Sequence, residues 1–398
     1  MSEIDGLSET DGVTARKMDL PGCFALNCHC RALARLEVKP IGTDFASEIT
    51  SMKEMITIDG SMGEGGGQVL RTSLSLSAIT GTEVALTKIR AGREKPGLKR
   101  QHLTCVKAVA EICGAKVSDV AVGSSELSFK PGPIKGGDYR FDVGTAGSVT
   151  LVAQTVIPVL LKADAPSTVT ITGGTHVPFA PIWEFFAETY LPELRRMGAK
   201  VEAELVQPGF YPAAGGVVKL KVWPFDEEKR IGFYDLTDLG AYRGGKVVGI
   251  VSALPVAIAE AEVGIVGKQL RDLALEREVR TVESFGPGNS CYVRFDYERG
   301  SVVFSSVGTY NKSRKAVANE VVKAVRDFLK EGKACEKHLA DQLLLPLNIL
   351  VGGERKLEQV GEYWEDLVWH PNWSVEVQKE TLHYTTNRDV IAEFALHE

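Results

Sequence analysis

Residues 56–81, ITIDGSMGEGGGQVLRTSLSLSAITG, join a short apolar segment to a longer one through a loop rich in glycine. The first segment predicts a strand, and the apolar spacing after Gly67 predicts a helix that ends at Gly81. Glycines in such a loop let backbone N–H groups approach an anion, and a helix N-terminus adds favourable partial charge. The loop has neither the GK[ST] ending of a Walker A loop nor the GxGxxG spacing of a Rossmann fold. The stretch therefore predicts an anion site of another kind, with a plain tight turn as the alternative.

Strand and helix patterns continue to alternate along the chain. A strand (TEVALTKIR), a helix (KRQHLTCVKAVAEICG) and two strands (AKVSDVAVG and ELSFKPG) follow the first helix. The same order recurs as GDYRFDVG, SVTLVAQTVIPVLLKA, STVTITGGT, APIWEFFAETYLPELRRMG and a final pair of strands. Both second helices run into the tetrapeptide GAKV, at residues 114–117 and 198–201. The chain therefore contains a structural repeat of strand, helix, strand, helix and paired strands.

A third copy is expected to begin near IGFYDL at residue 231, but the register changes after it. We predict that residues 55–233 form repeats 1 and 2 and that residues 234–333 form a small inserted α/β domain. Residues 334–398 then complete the interrupted third repeat. Residues 1–54 have weak periodicity and are expected to be an extension, disordered or not native. The predicted fold class is α/β, of the α+β type.

The composition predicts a soluble protein that works inside the cell. No run of eighteen apolar residues occurs, so no membrane span is expected. Seven cysteines in 398 residues do not form a disulfide framework, which favours a reducing, cytoplasmic location. Cys23, Cys28 and Cys30 beside His29 suggest zinc only weakly, because no second pair of ligands follows at the right spacing. The oligomeric state is left open.

A basic segment, residues 88–107 (KIRAGREKPGLKRQHLTCVK), departs from the overall net charge of −6. A solvated face is the ordinary explanation of such a run. Its position beside the glycine loop favours anion binding instead. Arginine's fork suits phosphate oxygens, so Arg71, Arg90 and Arg93 are predicted to form a clamp.

Glu64 is an acid inside a loop that is predicted to bind an anion. Two negative charges repel unless a cation lies between them. Mg²⁺ is held in proteins by one or two carboxylates together with phosphate oxygens. Glu64 is therefore predicted to bind a divalent metal, with an exposed glutamate at a helix start as the alternative.

The strings around these residues resemble the RNA 3'-terminal phosphate cyclase family. They are DGSMGEGGGQVLRTSLSLSAITG, IRAGREKPGLKRQHLT, GGDYRFDVGTAGSVTLVAQTVIPVLL, TGGTHVPFAP, GFYPAAGGVV, GPGNS and HLADQLLLPL. The resemblance covers nearly everything from Met55 onward. It implies three βαβαββ repeats with helices packed on four-stranded sheets, and a small domain inserted in the third repeat.

The resemblance also implies an activity: ATP-dependent conversion of an RNA 3'-phosphate end into a 2',3'-cyclic phosphate. In this family a histidine attacks the α-phosphorus of ATP and forms a covalent histidine-AMP. AMP then passes to the RNA 3'-phosphate, and the adjacent 2'-OH closes the ring. ATP, a divalent metal (Mg or Mn) and an RNA 3'-phosphate end are the implied ligands.

Site residues are implied position by position. His383 matches the nucleophile and Glu64 the metal ligand. The positions that match the nucleotide and phosphate contacts are Arg71, Arg90, Arg93, Gln154, Pro181, His338, Leu339, Ala340, Asp341 and Gln342. His338 stands where the family has an aromatic residue stacked on adenine, with Pro181 on the other face. The roles of Gln101 and His102 stay open, and His102 could cap its helix.

The first 54 residues lie outside the resemblance, a Trp-rich segment departs from the family, and two other functions compete. The Trp-rich segment 359–373 is longer than the family leads one to expect, and it makes His370 a second histidine candidate. A noncatalytic branch of the family serves in ribosome assembly, but it lacks the nucleophilic histidine. Enolpyruvyl transferases share the repeat architecture and would need no nucleotide.

Overall fold

The computed structural model describes residues 55–351 of the chain, except residues 64, 233, 235, 237 and 333. The predicted extension at residues 1–54 and the part of the predicted core beyond residue 351 lie outside the described residues. The domain boundaries proposed from the sequence therefore stay predictions.

The first repeat has the predicted order of elements. Helix α1 ends at Gly81, whose φ of 72° is left-handed and whose N–H donates to the Ser77 carbonyl. The four strands pair in the order β1-β2-β4-β3, with β1 and β2 parallel and the other pairs antiparallel. Its elements are β1 (Ile56–Asp59), α1 (Gly67–Thr80), β2 (Val84–Thr87), α2 (Arg100–Cys113), β3 (Lys116–Val117) and β4 (Leu127–Lys130).

Strand β3 is much shorter than the sequence predicted. The residues after it leave the sheet and pair with the basic segment instead. Leu98 N–H donates to the Ser124 carbonyl, and Gly123 N–H donates to the Leu98 carbonyl. These bonds satisfy the backbone groups of both loops, which explains why the strand pattern does not continue as a strand.

The second repeat has the same topology, which confirms the repeat expected from the two GAKV segments. Its strands pair in the order β5-β6-β8-β7, again with the first pair parallel. Its second helix contains one π-helical turn. The elements are β5 (Asp138–Asp142), α3 (Val149–Leu160), β6 (Ser167–Gly173), α4 (Trp183–Phe185), the π-helical turn (Phe186–Tyr190), α5 (Leu191–Arg196), β7 (Val201–Gln207) and β8 (Gly216–Val222).

The described part of the third repeat consists of α8 (Lys337–Leu350) and the bridge that flanks it. Ile231 and Val351 form a parallel bridge. A parallel strand pair also flanks α1 and α3, so α8 is the first helix of the third repeat. The chain between residues 231 and 337 is therefore inserted between the first strand and the first helix of that repeat.

The inserted chain contains a third four-stranded sheet with a different topology. Its strands pair in the order β10-β9-β11-β12, and only β9 and β10 are parallel. A hydrophobic cluster of its own lies between this sheet and its two helices. The elements are β9 (Tyr242–Ser252), α6 (Ala257–Gln269), β10 (Glu276–Thr281), β11 (Gly288–Tyr297), β12 (Ser301–Val307) and α7 (Arg314–Glu331).

Helix α3 lies at the centre of the main core. It packs against α1, α2, α8 and its own sheet. Val152, Val156 and Leu160 are fully buried, and each such side chain stabilises the fold by roughly 1.5–3 kcal/mol. A helix that is apolar on nearly all sides is typical of this central position. The α/β class with helices on four-stranded sheets is thus confirmed.

None of the helices in the described ranges has both the length and the apolar character needed to span a membrane.

Candidate functional site

The glycine loop lies against side chains of the basic segment. A Cβ on Gly66 would come within 2.7 Å of Arg93 Nη2, and a Cβ on Gly67 would overlap Nε2 of His102. The close contact with the buried His102 ring favours glycine at position 67, whereas the flexible end of Arg93 could move away from a side chain at position 66. The loop and the basic segment therefore form one structure at the N-terminus of α1.

The basic segment turns tightly after β2. Lys88 and Arg90 have φ angles of 48° and 57°, which ends the strand. The Arg90 side chain is buried, and its Nη1 donates to the carbonyls of Lys95 and Gly97, each at 2.7 Å. Arg90 therefore closes its own loop, a structural part that the sequence did not predict.

The three arginines of the predicted clamp have different surroundings. Arg93 lies at Gly66, and Arg71 Nη1 lies 3.1 Å from the position of a Cβ on Gly67. Burial, and then the charge of Arg93, lower the pKa of Arg90, but a guanidinium stays charged at neutral pH. Arg71 and Arg93 thus lie at the N-terminus of α1, whereas Arg90 has one nitrogen engaged by loop carbonyls.

His102 caps helix α2 and is buried. Its Nδ1 accepts a hydrogen bond from the Lys99 N–H at 3.2 Å. A neutral ring with Nδ1 as acceptor carries its proton on Nε2, the atom beside Gly67. Burial, and then the charges of Arg71, Arg90 and Lys99, lower the pKa of His102 to about 3. The ring is therefore neutral at pH 7 and directs an N–H donor toward the start of α1.

A small, partly open pocket lies where α1, α3 and α8 meet. Each helix contributes polar side chains to it, among them Arg71, Gln154 and Gln342. Arg71 also donates a hydrogen bond to Gln68, one turn earlier on the same helix. The complete lining consists of Gln68, Arg71, Thr72, Ser75, Gln154, Thr155, Pro158, Tyr190, Gln342, Leu345 and Pro346.

The three helices present matching positions to this cavity. Each contributes a polar residue and, four positions later, a second lining residue: Arg71 and Ser75, Gln154 and Pro158, Gln342 and Pro346. Gln154 Nε2 donates a hydrogen bond to Gln342 Oε1. The cavity therefore lies where the first helices of the three repeats converge.

Arg71 is the charged group of the cavity. Burial lowers its pKa, while Cys105 and Asp341 act in the opposite direction. It stays a cation at neutral pH because guanidinium groups do not lose their proton in proteins. Burial raises the pKa of the Cys105 thiol, so this neighbour is neutral. The cavity thus carries a positive charge suited to an anionic ligand.

Helix α8 places its predicted nucleotide contacts on different sides. His338 is exposed on the first turn, and Leu339 and Ala340 are buried in the main core. Asp341 is half-buried, and Gln342 lines the cavity. The side chains of Leu339 and Ala340 therefore serve packing, and those of His338, Asp341 and Gln342 lie outside the buried core.

Pro181 is held against the first turn of α3. Its carbonyl accepts a hydrogen bond from Thr150 Oγ1 at 2.7 Å. Gln154 lies one turn further along the same helix and lines the cavity. The loop that carries Pro181 is thus tied to the helix that carries Gln154.

Several predicted residues lie outside the described residues: Glu64, the histidines His370 and His383, and the cysteine cluster Cys23–Cys30 with His29. Among the residues from 55 to 351 that are described, no group of three or more His, Cys, Asp or Glu could hold a metal.

The sequence interpretation missed some contributors to the site. Tyr190 and Thr155 line the cavity, and the carbonyl of Thr155 accepts a hydrogen bond from Ser75 of α1. Gln101, whose role was left open, accepts a hydrogen bond from the Ser148 N–H at 2.7 Å and so fixes the start of α3. The shared Gln-x-x-x-Pro spacing of α3 and α8 was the available signal, because it repeats in equivalent helices.

Comparison with known proteins gives a consistent result. The sequence model of a family described as RNA 3'-terminal phosphate cyclase matches residues 62–397. A protein of Pseudomonas fluorescens (strain Pf-5) named RNA 3'-terminal phosphate cyclase is 44% identical over 305 residues, covering 76% of this chain and 86% of its own. A protein of the same name from Koribacter versatilis (strain Ellin345) is 40% identical over 342 residues, covering 85% and 90%. This chain belongs to the RNA 3'-terminal phosphate cyclase family.

Proposed function

We propose that this protein uses ATP to convert an RNA 3'-terminal phosphate into a 2',3'-cyclic phosphate. The observation that carries the proposal is the cavity between α1, α3 and α8, where Arg71, Gln154 and Gln342 converge beside the glycine loop. A cation and two amides suit a ligand that combines phosphates with hydrogen-bonding groups. Family membership supplies the reaction that such a site would serve.

The chemistry explains the need for ATP. A phosphate monoester cannot cyclise until one of its oxygens becomes a good leaving group. In the proposed first step His383 attacks the α-phosphorus, so that an N–P bond forms and pyrophosphate leaves. The AMP group then moves to an oxygen of the RNA 3'-phosphate, which breaks the N–P bond. Finally the 2'-OH attacks the 3'-phosphorus, loses its proton, and displaces AMP.

Histidine is suited to the first step. Its unperturbed pKa of about 6.5 leaves a large fraction of the rings neutral, with a free lone pair, at pH 7. His383 lies outside the described residues, so its assignment rests on the match to the family. The charge and hydrogen-bonding groups of the cavity support the nucleotide that it would attack.

The N-terminus of α1 is the proposed phosphate site. Arg71 and Arg93 approach it at Gly67 and Gly66, and His102 directs its Nε2 proton there. A neutral histidine donates a hydrogen bond without adding charge. Two guanidinium groups, one N–H donor and a helix start together favour an oxyanion with several oxygens. We assign triphosphate or RNA 3'-phosphate oxygens to this place.

The nucleoside is assigned to the loop that carries Pro181 and to the first turns of α8. Pro181 and His338 are the proposed stacking partners of the base, and Asp341 and Gln342 the proposed contacts to ribose or phosphate. Pro181 is fixed to α3 through Thr150, and His338 is exposed on α8. An imidazole ring is aromatic and can stack on a purine.

A divalent metal, Mg or Mn, is assigned to Glu64. Glu64 lies outside the described residues, so this assignment rests on the match to the family. Oxygen ligands of this kind suit hard cations. When bound, such a cation would neutralise phosphate charge during attack.

The test is formation of a protein-AMP adduct. Protein incubated with ATP labelled in the α-phosphate should retain acid-labile label, and His383→Ala should abolish it. His370→Ala is the matched control, because it removes the other histidine of the same region. Label that survives His383→Ala, or no label in the unaltered protein, would contradict the proposed mechanism.

A further inference from the structure

We propose that three exposed aromatic side chains, Phe179, Phe285 and Tyr310, together with Arg314 and Lys315, bind the single-stranded RNA that precedes the reacting 3' end. We call these five residues the aromatic row. The proposal rests on the proposed function for the identity of the nucleic acid. It adds a binding surface outside the cavity and a role for the inserted chain.

The aromatic side chains of the row are almost completely in solvent. Phe179 and Tyr310 are fully exposed, and Phe285 is 77% exposed. A single exposed apolar residue is ordinary. Three exposed aromatic rings on adjoining loops are unusual. Burying each ring would stabilise the fold by roughly 1.5–3 kcal/mol, and the exposed rings do not provide this.

The loop of Phe179 adjoins the loop that precedes β8. His176 N–H donates to the Gly209 carbonyl at 3.0 Å, and Tyr211 N–H donates to the His176 carbonyl at 3.2 Å. Tyr211 is itself partly exposed. These bonds fix the two loops of the second repeat side by side.

Phe285 brings the inserted chain onto the same surface. Its Cβ lies where a side chain on Gly215 would begin, and the next residue, Gly286, lies against Ala213. The loop between β10 and β11 therefore rests directly on the loop before β8. The second repeat and the inserted chain thus form a continuous surface at this point.

Tyr310 continues that surface within the inserted chain. Gly308 N–H donates to the Asn289 carbonyl at 2.9 Å, and a Cβ on Gly308 would overlap the Asn289 side chain. Asn289 stands four residues after Phe285, and Tyr310 stands two residues after Gly308. The three rings therefore occur on a connected series of loops.

The backbone of Phe179 supports a functional role. Its φ is 61°, a left-handed conformation that costs a residue with a side chain about 1 kcal/mol or more. The loop is held at its base by a hydrogen bond from Trp183 N–H to the Thr175 carbonyl at 3.1 Å. The strained backbone holds an aromatic ring out in solvent, which favours contact with a ligand over packing.

The charges beside Tyr310 fit a polyanion. Arg314 and Lys315 are exposed on the first turn of α7, and neither takes part in an ion pair with another described residue. Lys312, by contrast, is paired with Glu320. Aromatic rings beside cations are the combination that binds single-stranded nucleic acid, since bases stack and phosphates pair with the cations.

The row also leads toward the proposed catalytic site. Phe179 precedes Pro181 by two residues, and Pro181 is bonded to Thr150 at the start of α3. An RNA chain stacked along the loops would therefore approach the cavity from the side of the second repeat. This direction matches a substrate whose end reacts while the rest of the chain stays outside.

The first test measures binding without chemistry. Fluorescence anisotropy is recorded with a single-stranded RNA of about twelve nucleotides ending in a 3'-OH, without ATP. Phe179→Ala, Phe285→Ala and Tyr310→Ala should each weaken binding by roughly fivefold or more, and Tyr310→Phe should retain it. Leu329→Ala, at an exposed apolar residue near the other end of α7, is the matched control and should leave affinity unchanged.

Salt dependence tests the two cations separately. Each phosphate of a single strand that a cation neutralises contributes about 0.7 to the slope of log K against log salt. Arg314→Ala and Lys315→Ala should each reduce the slope by that amount. An unchanged slope in both variants would remove these cations from the proposal.

The two proposals can fail separately. The 3'-OH RNA cannot be cyclised and no ATP is present, so weaker binding by the aromatic variants supports the row even if the adenylation test fails. With active enzyme, the variants should raise KM for long RNA and leave kcat on a 3'-phosphorylated dinucleotide unchanged. If all three alanine variants bound RNA with unchanged affinity, the aromatic row would not be an RNA-binding surface. That result would point to a protein partner instead.

Discussion

Gln154 on α3 donates a hydrogen bond to Gln342 on α8, and this contact joins the second repeat to the third across 188 positions of sequence. Each glutamine stands four residues before a proline within its helix, Pro158 and Pro346. Because proline has no N–H, neither glutamine carbonyl receives its usual helical hydrogen bond. Two equivalent helices are therefore altered at the same place, beside the cavity.

Gln342→Ala is expected to weaken ATP binding. The substitution removes one amide from the cavity, and a hydrogen bond to a charged group of the nucleotide is worth about 1.5–3 kcal/mol. ATP affinity measured by calorimetry should fall about tenfold or more. The melting temperature should change little by comparison, because the Gln342 side chain is only half-buried.

Asn348→Ala is the control for that measurement. Asn348 is a polar residue of the same helix, it bonds the Leu344 carbonyl, and it does not line the cavity. The double variant Gln154→Ala with Gln342→Ala should lose less affinity than the sum of the single variants, because the two amides act together. Additive losses would show that they contact the nucleotide independently.

The sequence predicted the repeats well because their signals are local. Periodicity and the two GAKV segments identified the order of elements in both complete repeats, whereas the domain boundaries stay predictions. The length of strand β3 was overestimated. Its sequence pattern does not show that the backbone of residues 123 and 124 is hydrogen-bonded to Leu98. Pairing between distant loops is a tertiary effect that a local pattern does not contain.

The site was predictable to a different degree at each residue. Arg71, Gln154 and Gln342 do converge, but the resemblance alone brought them together, since they are far apart in sequence. The position of Arg90 was foreseen and its bonds to Lys95 and Gly97 were not. The sequence alone does not distinguish an arginine that binds a ligand from one that donates hydrogen bonds to carbonyls of its own loop.

Gly67→Ala is expected to reduce activity strongly. The new methyl group would overlap Nε2 of His102 and press on Arg71 Nη1. Displacing a buried ring typically costs about 1–3 kcal/mol, and the donor at the start of α1 would move with it. Adenylation should fall by more than tenfold, and thermal unfolding should shift to a lower temperature.

Gly264→Ala provides the comparison for this substitution. Gly264 lies inside helix α6, and a Cβ there meets no atom within 4 Å. Alanine should stabilise this helix by roughly 0.5–1 kcal/mol and leave adenylation unchanged. If Gly67→Ala behaved in the same way, close approach of His102 would not be the reason for glycine in the loop.

His338 offers a test of the proposed base contact. His338→Phe should preserve or lower KM for ATP, because a larger aromatic face stacks at least as well on a purine. His338→Ala should raise KM by roughly threefold to tenfold through loss of about 0.5–1.5 kcal/mol of stacking. Steady-state kinetics over a range of ATP concentrations will distinguish a change in KM for ATP from a change in kcat. Equal KM values for the two variants would exclude stacking at this position.

Glu262 makes the stability of the inserted chain depend on pH. Its carboxyl group is fully buried on α6, and Oε1 accepts a hydrogen bond from Asn289 Nδ2 at 2.6 Å. Burial raises its pKa to about 7, against the smaller opposing effects of Asn289 and Lys312. The folded state thus favours the neutral acid, and stability should fall as pH rises from about 4.5 to about 7. The loss is at most about 3 kcal/mol.

Glu262→Gln should remove this dependence because an amide does not ionise. It can still accept the hydrogen bond from Asn289, so the variant should gain stability relative to the unaltered protein at pH 8 but not at pH 5. Denaturant unfolding at the two pH values measures the difference. Cys291, another titratable neighbour, stays a neutral thiol across this range because burial raises its pKa. Glu260→Gln, at an exposed position of the same helix, should leave the pH dependence in place. If it removed the dependence as fully as Glu262→Gln does, the buried carboxyl group would not be its source.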